Sequence, residues 1–151
     1  MIGFTAKITK TRLFSAIAII LIPLLIFSAM YITKAKAKEN VSLEANTTEQ
    51  RIEFLKHFGY AVEDNSETVK DTSIPSEFDN VYDAYNSIQT AQGFDLSDYK
   101  GQTVKLYNLK ITNYPKDSEY VYATLLVKDG IIIGGDIHST SLYGFMHGFE
   151  M

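Results

Sequence analysis

Residues 120–139, YVYATLLVKDGIIIGGDIHS, decide the fold. Two runs rich in β-branched, aromatic and aliphatic residues flank Asp129-Gly130, a strong signal for a two-residue hairpin turn. With that turn Lys128 faces Ile131, and stepping back pairs Leu126 with Ile133 and Tyr122 with Ile137. The opposite face then holds Val121, Ala123, Leu125, Val127 and Ile132, together with Asp136 and His138. Both faces carry apolar residues, so the hairpin is predicted to be central in its sheet and covered by helix on at least one side. Gly134-Gly135 lies inside the second strand. No helix with a suitably spaced Lys follows it, so a β-bulge or a close packing contact is favoured over a phosphate cradle.

Working outward, residues 103–113 form a third strand candidate, rich in Val, Tyr, Leu, Ile and Thr and stopped by Pro115. Thr47 followed three residues later by Gln50 is a capping-box signature. It opens a helix with Ile52, Phe54, Leu55 and Phe58 as its apolar face, Arg51 and Lys56 on its wet side, and Gly59 as its stop. Residues 60–62 and 68–74 are short strand candidates around the turn Glu63-Asp64-Asn65. After Pro75, Ser76 or Asp79 can cap a second helix running to about Gln92, with Val81, Tyr85 and Ile88 at helical spacing and Gly93 closing it. The order α, β-β, α, β-β-β predicts an α+β domain of two helices packed on an antiparallel sheet, over residues 47–151.

A different object precedes this domain. Residues 13–33 carry no charge, and only Ser15, Pro23, Ser28 and Thr33 among them are not apolar. At about 1.5 Å per residue the run spans about 31 Å, the thickness of a bilayer's hydrocarbon core. The reading is a transmembrane helix after a basic segment, 1–12, and before a polar linker, 34–46. Such a run exceeds the usual apolar length of a signal peptide, so a retained anchor is favoured. Cleavage after Ala35-Lys36-Ala37, which would release the domain, is the alternative. Residues 39–151 hold eight of the 14 Lys and Arg and all 18 Asp and Glu, a balance of -10 within a total of -4. Basic stub and acidic domain suit a single-pass protein of the cell membrane, N-terminus cytoplasmic and domain extracytoplasmic. The bilayer is then one partner and another membrane or envelope protein a second, whereas nucleic acid is excluded by the acidic charge. With no Cys among 151 residues, disulfides, thiolate metal sites and a cysteine nucleophile are excluded too.

Several strings stand in order along the chain: Phe54-Leu55, Phe58-Gly59-Tyr60, Ile74-Pro75, Phe78-Asp79 and Tyr85-Asn86. They continue with Gln92-Gly93-Phe94-Asp95-Leu96, Tyr99-Lys100-Gly101, Asn113-Tyr114-Pro115, Gly134-Gly135-Asp136 and Gly144-Phe145-Met146-His147-Gly148. Together they resemble the bacterial domain-of-unknown-function family 4830, over about residues 51–149. The resemblance implies a Gram-positive, Clostridia-like extracytoplasmic domain, often behind a membrane segment, and implies no activity or cofactor.

Two residue sets remain as candidates for function. Asp136 and His138 share one strand face at i, i+2, and His147 follows closely. They could form the orienter and base of a hydrolase with Ser139 to Ser141, or a divalent-metal site. The bland reading is a capping Asp136 and a satisfied histidine, and it is the favoured one. The domain is also rich in tyrosine, a residue that suits binding surfaces and small cores equally. Tyr82, Tyr85, Tyr120, Tyr122 and Phe145 are the candidate binding surface. Three functions follow: a binding or accessory module for an envelope protein or ligand, a hydrolase or metal-dependent enzyme on Asp136, His138 and His147, or a structural subunit of a membrane complex. In the last, Ser15, Ala18 and Ser28 are the small residues available for helix contact.

Overall fold

The computed structural model describes residues 41–115 and 120–150. The basic segment 1–12, the apolar run 13–33 and the linker up to residue 40 lie outside the described residues. Among the described residues no helix is long and apolar enough to cross a membrane.

From residue 42 onward the chain folds as α1 (Thr48–His57), β1 (Thr68–Ser73), α2 (Asn80–Ala91), a 3-10 turn (Leu96–Tyr99), β2 (Thr103–Lys110), β3 (Val121–Lys128), β4 (Ile131–Ser139) and β5 (Met146–His147). The five strands form one sheet in sequence order, and every neighbouring pair is antiparallel. The Thr47/Gln50 capping box is formed as predicted, and Asp79 caps α2. Residues 60–62 contribute only a bridge between Val62 and Ile111, just beyond the end of β2.

The two helices cover opposite faces of the sheet. On one face the guanidinium of Arg51, from α1, sits 3.8 Å over the Tyr107 ring. On the other, Tyr82 and Tyr85 of α2 pack against Ile74, Leu96, Val104, Leu126 and Ile133. This explains why Leu125 and Leu126, neighbours on β3 pointing opposite ways, are both buried. Two predictions about helix faces need correction. Val81 is 77% exposed, and α2 turns Tyr82, Tyr85 and Gln89 inward. Arg51, predicted to be wet, is buried and paired with Glu67 at 2.6 Å.

The hairpin turn forms at Asp129-Gly130, both at positive φ, and Lys128 faces Ile131. The predicted register holds through Val127–Ile132 and fails beyond that pair. A β-bulge opposite the Leu126/Val127 step makes Ile133 an extra residue, so Leu126 pairs with Gly134, Thr124 with Asp136 and Tyr122 with His138. One inserted residue flips everything after it to the other face. Asp136 and His138 therefore lie on the α2 face, not with Ala123 and Leu125.

The outer edge of β4 is closed by three separate devices. At its start, Ala45 N–H donates to Gly130 O and Ile132 N–H donates to Leu43 O, so residues 43–45, assigned from sequence to the linker, are part of the sheet. In its middle, Gly135 N–H donates to Gln89 Oε1 at 2.8 Å and Gly135 O accepts from Gln92 Nε2 at 3.1 Å. At its end sits β5. Two side-chain amides spaced i, i+3 thus satisfy the strand backbone on its outer side, where none of the described strands pairs with it.

Candidate functional site

The bulge and α2 together create the site. Tyr85 reaches across the sheet, and its hydroxyl donates to Asp136 Oδ2 at 2.9 Å. The other oxygen, Oδ1, lies 2.8 Å from His138 Nδ1, with the carboxylate 3% and the imidazole 21% exposed. A carboxylate only accepts, so Nδ1 is the donor, an arrangement that in a neutral imidazole leaves the lone pair on Nε2. No partner holds Nε2 among the described residues. The Tyr122 ring lies beside the imidazole, 6.1 Å between centroids and 24° between planes. Deeper along the same face, Thr124 Oγ1 donates to Asn108 Oδ1 at 2.9 Å. Beyond Tyr85 no helix among the described residues covers this face, and Tyr122, His138, Asn108 and Lys110 are half-buried while Met146 is 49% exposed.

His147 does not join them. It pairs with Ile137, which puts it on the α1 face. Both its ring nitrogens are engaged: Nδ1 donates to Gly148 O at 2.6 Å, and Nε2 accepts from the Tyr114 hydroxyl at 2.9 Å. Ser139 pairs with Val121 on that same opposite face, and its hydroxyl bonds to Ser141 at 2.8 Å. The Asp136–His138 pair therefore has an orienter and a base but no serine aligned with the base. Among the described residues no three His, Asp or Glu side chains converge on a point where a metal ion could sit.

The aromatic candidates are likewise divided. Tyr82 and Tyr85 fill the α2 cluster, while Phe145 stacks on Tyr114 at 4.8 Å and beside His147. Only Tyr120, 48% exposed, and Tyr122 remain near the open stretch. Sequence reasoning missed Gln89, Gln92, Asn108 and Met146; two glutamines in register with inward-facing tyrosines were the available signal. A cleft of about 370 Å³ opens at the other end of the sheet beside Asn46, Lys105 and Asp129. Lys105 there is already paired with Asp71 at 3.1 Å.

Burial raises the titration of three tyrosines, Tyr60, Tyr82 and Tyr85, and two of them stand out. Burial, then the Asp136 charge, pushes the Tyr85 phenol well above its ordinary range. Burial, with a smaller contribution from Tyr114, pushes Tyr60 up to about 12. In both cases the folded state keeps the proton longer than the unfolded chain, whose phenols titrate near pH 10. Stability is thus present in full below about pH 10 and falls as pH rises through about 12. Denaturant midpoints measured from pH 8 to 12 are expected to be level at first and then to decline. Tyr60→Phe should reduce the decline.

No curated protein and no solved structure matches the chain. A family model described as "Domain of unknown function (DUF4830)" matches residues 54–137. That span runs from within α1 through nearly all of β4, takes in the bulge and Asp136, and is more than half of the sequence, so the chain belongs to the DUF4830 family.

Proposed function

We propose that this protein is a single-pass membrane protein, N-terminus cytoplasmic, whose extracytoplasmic domain is a binding or accessory module for another envelope protein or ligand. The apolar run 13–33 followed by an acidic domain supports the membrane placement. The observation that carries the binding reading is the stretch of sheet beyond Tyr85. There a face that no described helix covers keeps Tyr122, His138 and Met146 partly accessible, while the rest of that face is filled by α2. Aromatic side chains with a polar tip, held on strands, are the chemistry that recognition surfaces use. The orienting of His138 by a buried carboxylate gives that surface one fixed polar group.

The chain enters the domain at Leu43–Ala45, beside the hairpin turn, whereas His138 lies at the far end of β4. A partner at His138 would therefore meet the end of the sheet opposite Leu43–Ala45. A photo-crosslinking residue placed at Tyr122 in the full chain, in cells, is expected to give a discrete adduct. The same residue at Val81, on the outer side of α2, is expected to give none. Equal labelling from both positions, or none from Tyr122, would remove this surface from consideration.

A further inference from the structure

We propose that His138 and Met146 form a binding site for a soft monovalent metal ion, cuprous copper. Their strands place them directly opposite one another, with His138 of β4 paired to Met146 of β5. Side chains at such positions leave the same face of the sheet with Cβ atoms about 5 Å apart. Methionine is long and unbranched enough to bring its sulfur to an ion on the neighbouring imidazole. The sequence pairs His138 with His147; the register substitutes Met146, and the sulfur changes the class of metal.

Each part of the pair is prepared in a way that core packing does not require. The imidazole is fixed through Nδ1 by a carboxylate 2.8 Å away, and that carboxylate is held on its other oxygen by Tyr85. A carboxylate behind Nδ1 with a free Nε2 in front is the usual support of a metal-ligating histidine. Met146 is 49% exposed, so its thioether is not consumed by the core. An imidazole with a thioether is a donor set for Cu(I), which accepts low coordination numbers. Zinc would need further nitrogen, sulfur or oxygen ligands; the nearby Asp136 is engaged by His138 Nδ1 and Tyr85, and among the described residues no three His, Asp or Glu side chains converge. The chain has no cysteine to capture the ion elsewhere. This inference concerns metal binding by the isolated protein and stands independently of the partner proposed above.

The test uses the full chain in detergent under anaerobic conditions, with Cu(I) competed by the chromophoric chelator bicinchoninate and Zn(II) as comparison. The protein is expected to withhold one equivalent of Cu(I). Met146→Leu and His138→Ala are each expected to weaken binding by more than about tenfold, and Asp136→Asn by about 10–100-fold. His147→Ala, on the other face, should leave it unchanged. Met146→Leu conserves volume at an exposed position and keeps the fold, so its result is decisive even if Asp136→Asn unfolds. In parallel, added Ag(I) should shift the Met146 methyl and His138 ring resonances together. No Cu(I) withheld from bicinchoninate, or wild-type Cu(I) affinity in Met146→Leu, overturns the proposal.

Discussion

Arg51→Ala is expected to cost the domain about 3–5 kcal/mol, because it strands a carboxylate and uncouples four parts of the fold. The guanidinium grips Glu67 with two hydrogen bonds, Nε to Oε2 at 2.7 Å and Nη2 to Oε1 at 2.6 Å. Its Nη1 donates to the Ala45 carbonyl at 2.6 Å, and its flat face lies on Tyr107. One side chain thus ties the strap that closes β4, helix α1, the residue before β1, and β2. Arg51 is 4% exposed and the Glu67 side chain 16%, so little water is available to replace what is removed. Lysine is a poor substitute, since it lacks the planar fork that makes the paired contact. Equilibrium denaturation should show Arg51→Ala and Glu67→Ala each losing several kcal/mol. The double variant should lose clearly less than their sum, as removing both partners strands neither. Single losses below about 1 kcal/mol would mean that the pair is a surface contact of little consequence.

That clamp also marks the limit of what the residues disclose in order. The capping box at Thr47 and Gln50 and the Asp129-Gly130 turn were legible because their geometry is local: a few adjacent residues determine each. Arg51 was not, since its partner lies 16 residues on at the edge of a strand, and a charged residue read along a single helix belongs on the wet side by default. The inward face of α2 includes Tyr85 as the spacing predicts, but with Tyr82 and Gln89 in place of Val81. Val81, Tyr85 and Ile88 fit helical spacing as well as Tyr82, Tyr85 and Gln89, and only the sheet beneath decides which stripe is buried. The candidate site followed the same division. Asp136 and His138 were legible as neighbours on one strand face, but which face depended on a bulge. Met146 was invisible as their companion, because β5 is two residues long and exists only through its pairing with β4.

Gly135→Ala tests that bulge directly and is expected to cost about 3 kcal/mol, at the upper end of what overpacking usually exacts. A Cβ at this position would collide with the Thr124 carbonyl oxygen and come within 2.6 Å of Phe149 Cζ. Neither obstacle can yield cheaply. Thr124 is in the central strand β3, paired on both sides, and the Phe149 ring is wedged among Phe54, Phe58 and Phe94 at 5.0, 5.5 and 6.4 Å. The Gly135 backbone cannot rotate away either, being held at N–H and C=O by Gln89 and Gln92. Gly93→Ala is the fitting comparison. That residue has φ +89 but nothing within 4 Å of an added Cβ, so only the backbone preference is lost, about 1–2 kcal/mol. If Gly135→Ala proves the milder of the two by denaturation, Gly135 does not face Leu125 in the strand pairing. If it proves the harsher, survivors should also lose the His138 side-chain environment. The extra residue, Ile133, is what turns Asp136 and His138 toward Tyr85 and sets Gly135 opposite Leu125. A strand without the bulge would return both to the α1 face, where Ala123 and Leu125 leave no partner for a buried carboxylate.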